Sequence, residues 1–66
     1  MNITLNGEPK TIADALTVAE LIEQLDLTGR RLAVEVNLDI IPRSRHSQHQ
    51  LRQNDVVEVV HAIGGG

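Results

Sequence analysis

No cysteine occurs among the 66 residues, and neither does any phenylalanine, tryptophan or tyrosine. The first absence excludes disulfides, thiolate metal sites and side-chain sulfur chemistry together. The second leaves Leu, Ile, Val and Ala to build any core, and removes the aromatic platforms on which single-stranded nucleic acids stack. Positive charge is also scarce. Six Lys and Arg stand against nine Asp and Glu, a net charge of -3, which argues against nucleic acid as a partner. No apolar run approaches the ~18–20 residues that a membrane span needs. The opening Met1-Asn2-Ile3-Thr4-Leu5-Asn6-Gly7 lacks a basic stretch and a long apolar stretch. No secretion signal is therefore read, and a cytoplasmic protein with no membrane attachment is expected. One small domain fits this length, and domains of this size bury only ~60% of their unfolded surface.

What is present is well patterned. Ile3 and Leu5 alternate with Asn2 and Thr4, and Asn6-Gly7 is the favoured pair for a type I′ hairpin turn. Glu8–Ile12 returns as a second strand, and Pro9, which cannot donate to a ladder, places that strand at a sheet edge. Thr17-Val18-Ala19-Glu20 has capping-box spacing, with Leu16 and Leu21 at the positions of a hydrophobic staple. Val18, Leu21, Ile22 and Leu25 then recur as one apolar helical stripe, for which Gly29 is the expected stop. Leu32, Val34 and Val36 alternate with Ala33, Glu35 and Asn37, a half-buried strand. Asn37-Leu38-Asp39 reads as a turn, Ile40-Ile41 as a short strand ended by Pro42, and Arg43–Gln53 as a polar stretch anchored by Leu51. Asn54-Asp55 turns into a valine-rich last strand ending at His61. A hairpin, one main helix and a mixed sheet of four to five strands make an α+β layer architecture, and this order points to a β-grasp. The expected division is a domain over residues 1–61 and a C-terminal tail over residues 62–66.

Few residues suggest chemistry. His46 and His49 are spaced to share one side of a helical turn, but zinc needs three or four ligands and nothing nearby completes the set. They are read as part of a solvated polar turn. His61 is either a surface histidine or a partner contact. Arg43, Arg45 and Arg52 are either solvated surface or a docking patch. If Val57 and Val59 face the helix, Val56 and Val60 share the outer face of the sheet with Glu58. Exposed apolar side chains of that kind mark protein contacts, unless Leu38 or Ile41 covers them. The sequence closes on Ala62-Ile63-Gly64-Gly65-Gly66. Glycine carries no Cβ, so such a peptide is thin, and five extended residues reach roughly 17 Å. It is read as a tail inserted into a partner, the alternative being a frayed end.

Taken together, these segments resemble the ThiS/MoaD family of ubiquitin-like sulfur carriers, most closely its thiamine-pathway branch. The resemblance rests on Ile3-Thr4-Leu5-Asn6-Gly7, on Thr17–Ile22, and on Val34-Glu35-Val36-Asn37 followed by Ile41-Pro42-Arg43. It closes with Asp55–His61 and the glycine tail. Asn54 stands where the family often has glycine, and the tail carries three glycines rather than a pair. The resemblance implies a carrier and not an enzyme. An E1-like, ThiF-type adenylyltransferase, using ATP and Mg that this chain does not itself bind, would adenylate the Gly66 carboxylate. A persulfide donor would convert it to a thiocarboxylate, and a ThiG-type thiazole synthase would take the sulfur. Gly64 and Gly65 would thread the partner's channel, and Val56, Val60, His61, Ile63 and Arg43 would form the docking set. The same resemblance leaves room for the small subunit of molybdopterin synthase, or for a ubiquitin-like modifier.

Overall fold

Asn6 and Gly7 both adopt positive φ, 50° and 83°. This closes a two-residue hairpin between β1 (Asn2–Leu5) and β2 (Glu8–Thr11) with Leu5 opposite Glu8. The computed structural model describes residues 1–61. Helix α1 (Val18–Gln24) begins at Thr17 with the expected capping box. The Glu20 N–H donates to the Thr17 hydroxyl (3.1 Å), and the Thr17 N–H donates back to the Glu20 carboxylate (2.9 Å). Four further segments follow: β3 (Leu32–Val36), β4 (Asp39–Ile40), a 3-10 turn over Arg43–Arg45, and β5 (Val56–His61). The strands form one mixed sheet in the order β2-β1-β5-β3-β4. Strand β5 lies parallel to β1 and antiparallel to β3, at the centre, and β2 with its Pro9 occupies an edge as expected.

Val18, Leu21 and Ile22 of the helix meet Ile3, Val34, Val36, Val57 and Val59 of the sheet, and Leu16 and Leu51 close the core at its end. With no aromatic ring available, small branched side chains fill the space between the layers.

Three boundaries differ from expectation. The helix stops before Gly29, at Asp26, which adopts φ 59°. The Asp26 N–H donates to the Glu23 carbonyl and the Leu27 N–H to that of Ile22, each at 3.0 Å. That pair of bonds is a Schellman motif, and the Ile22–Leu27 apolar pair accompanies it. The second strand ends at Thr11, although Ile12 remains buried. The short strand is Asp39–Ile40 rather than Ile40-Ile41. Asn37 and Leu38, at φ 51° and 72°, form a two-residue turn that sets Val36 opposite Asp39, moving the pairing one residue earlier.

Candidate functional site

Strand periodicity divides β5 between two environments. Val57 and Val59 point into the core, 0% and 8% exposed, whereas Val56 and Val60 are 48% and 51% exposed on the outer face. On that face Val56 neighbours Thr4 of β1, Glu58 stands opposite Glu35 of β3, and Val60 stands opposite Ala33. Ile40 of β4 pairs with Glu35 on the other side. Neither Leu38 nor Ile41 covers the valines. Ile41 packs against the core, and Leu38 projects from the β3–β4 turn at 86% exposure, with Ile40 at 70%. The apolar patch is therefore larger than the sequence reading made it, because the one-residue shift of β4 turns Ile40 outward.

The turn end of β5 is clamped by side chains. Asn37 donates from Nδ2 to Asp55 Oδ1 (2.9 Å), and its Oδ1 accepts from the Val56 N–H (2.9 Å). The other Asp55 oxygen accepts from the Arg52 N–H (2.8 Å), so each oxygen of this buried carboxylate has a partner. Asn54, at φ 70°, makes the turn that aims Asp55 inward. Further along, Asn6 Oδ1 accepts from the Val59 N–H (2.8 Å). Two asparagines thus hold β5 in register from both sides. The Asn37 and Asn54 positions were legible as turns, but nothing in their spacing announced that Asp55 would be buried beneath them.

The remaining expected site residues separate from the valines. His61 ends β5 exposed and pairs with Leu32, a register that belongs to the helix side of the sheet. Arg43 also lies on the helix side. With Ala19, Ile22, Leu32, Arg30 and His46 it borders a shallow cleft of about 230 Å³. Arg43 therefore shares no face with Val56 and Val60. His46 donates its Nε2–H to the Ile41 carbonyl (3.0 Å), a structural bond that ties the 3-10 turn to the sheet. No group of three or more potential metal-ligating side chains occurs among the described residues. A wider, polar cleft of about 650 Å³, lined by Asn37, Asp39, His49, Arg52 and Asp55, lies at the start of β5, the end away from the tail. Ile63, Gly64, Gly65 and Gly66, read as the inserted and reacting residues, lie outside the described residues. No helix among the described residues is long and apolar enough to cross a membrane.

Comparison with known proteins places this geometry. The model of the ThiS family matches residues 3–66. The sulfur carrier protein ThiS of Escherichia coli (strain K12) is 35% identical over 66 residues, covering the whole of both chains. A solved structure of a thiamine biosynthesis protein (ThiS) from Geobacter metallireducens superposes with a TM-score of 0.87 at 33% identity, again over both chains entire. A thiazole synthase of Paramagnetospirillum magneticum is 38% identical over 66 residues, and there the chain spans only 20% of the relative's length.

Proposed function

Since the chain belongs to the ThiS family, we propose that it is a sulfur carrier for thiamine biosynthesis whose Gly66 carboxylate is its only working group. A carboxylate resists substitution because its oxygen is a poor leaving group. An E1-like partner joins the Gly66 carboxylate to the α-phosphorus of ATP, releasing pyrophosphate and leaving an acyl adenylate. The terminal sulfur of a persulfide donor attacks that carbonyl and expels AMP. A second thiol of the donor then attacks the donor-side sulfur of the acyl disulfide. The donor keeps a disulfide, and the chain leaves with a terminal thiocarboxylate. Thiazole synthase takes the sulfur from there. ATP and Mg belong to the adenylating partner, and this chain binds no cofactor of its own.

The observation that carries the reading is the family match running through residue 66. The absence of cysteine supports it, because no side chain can take up sulfur as a thiolate or persulfide. The exposed valines of β5 support a docking face that positions Gly64 and Gly65 in the partner, since they stand a few residues before the tail. The match to the ThiS family model favours thiamine over the molybdopterin pathway, and over protein modification.

Intact mass spectrometry tests the reading. Incubation with the adenylating enzyme, ATP, Mg and a persulfide donor should raise the mass by the difference between sulfur and oxygen. Removing Gly66, or adding one residue beyond it, should abolish that increase while the melting temperature stays at the wild-type value. A normal mass increase in either variant would show that the sulfur resides elsewhere.

A further inference from the structure

The outer face of the sheet carries an arrangement that the free protein does not need. Glu35 and Glu58 sit directly opposite each other across β3 and β5, and like charges so placed destabilise a sheet. Among the described residues no cation lies within ion-pair distance of either. The other charged residues of the strands, Glu8, Lys10 and Asp39, pair with Leu5, Ile3 and Val36 and so hold inward-facing register positions. The one ion pair among the described residues joins the Met1 ammonium to Asp14. Around the two carboxylates the face is apolar, with Val56 and Val60 along β5 and Ile40 beside Glu35, all exposed.

We propose that Glu35 and Glu58 together receive an arginine side chain of thiazole synthase, with Val56, Val60 and Ile40 packing against the apolar surface around it. The inference rests on the carrier reading above and adds the chemistry by which the partner is recognised. Opposed residues in an antiparallel pair stand ~4.5–5.5 Å apart at Cβ, a spacing that a planar guanidinium can bridge with its separate N–H edges. The apolar surround excludes water, which strengthens the pairing once it forms. Thiazole synthase is the partner chosen because chains of that name, in two organisms, contain a stretch 38% identical to this one. Joining two proteins in one chain is the arrangement expected where they must meet repeatedly.

The test is calorimetric titration of the full chain against thiazole synthase from the same organism, beside thermal melts. The double variant Glu35→Gln, Glu58→Gln should melt above wild type, because the repulsion is gone. It should nevertheless bind at least ~10-fold more weakly and lose most of the salt dependence seen with wild type. Wild-type affinity and salt dependence in the double variant would overturn the proposal. Val60→Asp distinguishes the two levels. If it abolishes binding while the double variant binds normally, the face docks but receives no cation. If neither change matters, docking through this face fails as well, and thiocarboxylate formation at Gly66, read by mass, stands or falls separately. No measurable binding of wild type would overturn the choice of partner.

Discussion

The two faces of the sheet are made from the same strands and nearly the same residue types, yet they do different work. Inward, Val34, Val36, Val57 and Val59 are buried beneath the helix. Outward, Val56, Val60 and Ile40 stand in solvent around two carboxylates. Alternation along β5 alone assigns each valine to one side, because successive side chains of a strand point to opposite faces. Valine is therefore a poor label for a core position in this protein. Its neighbour two residues away predicts its environment better than its own hydropathy does. The inner face determines whether the domain exists, and the outer face leaves apolar side chains exposed that the fold does not use.

The sharpest way to break this comparison is to place the same charge on each side. Val57→Asp buries a carboxylate with no partner and should cost more than ~4 kcal/mol, comparable with the whole stability of so small a domain. Val60→Asp should leave the melt nearly unchanged and weaken partner binding by several-fold to many-fold, since the new charge is desolvated only in the complex. Equal melts for the two variants would show that the faces are not distinct.

Next in size is the layer that makes the inner face buried at all. Leu21 is fully buried on α1, and Leu21→Ala should cost ~2–5 kcal/mol, read by denaturant titration. A titration superimposable on wild type would mean that the sheet side of the core stands without the helix.

The smallest effects lie at the helix start. Thr17→Ala should cost ~1 kcal/mol through loss of the N-cap. The paired bonds from Thr17, its backbone N–H first and its hydroxyl second, hold the Glu20 carboxyl below the usual carboxylate range. A carboxyl lowered by folding stabilises the fold above its unfolded pKa and ceases to do so as pH falls through the folded value. Glu20→Gln should accordingly melt below wild type at neutral pH, and the difference should close on acidification. A gap that persists unchanged in acid would assign it to packing rather than charge. None of these helix variants should alter docking on the outer face.

Much of this was legible beforehand because the signals were local. The Asn6-Gly7 turn, the Thr17–Glu20 capping box and the alternation of β3 and β5 each depend on a few adjacent residues, and each formed as read. Where the reading slipped, a competing residue could do the same job earlier. Asp26 took the left-handed cap expected of Gly29, and Leu38 accepted the positive φ usually left to glycine. The outer patch was legible as Val56 and Val60, but Ile40 joined it only through that turn. The separation of Arg43 from the valines was not legible, because it depends on which side of the sheet the chain crosses after β4. The Asn37–Asp55 clamp was hidden for the same reason, as its partners are far apart in sequence.

The parallel pairing of β1 with β5 brings Thr4 beside Val56 and Leu5 beside Val57. A nascent chain interrupted before β5 holds a hairpin and a helix with no strand between β1 and β3, so its sheet cannot assemble. Long-range closure of this kind makes folding slow relative to a helical bundle, and it postpones the structured state until nearly every residue has been synthesised. Products truncated before β5 would lack both the exposed valines and the glycines that follow them. The topology thereby couples folding to synthesis of the last strand, so a chain cut short of β5 presents no assembled sheet at all.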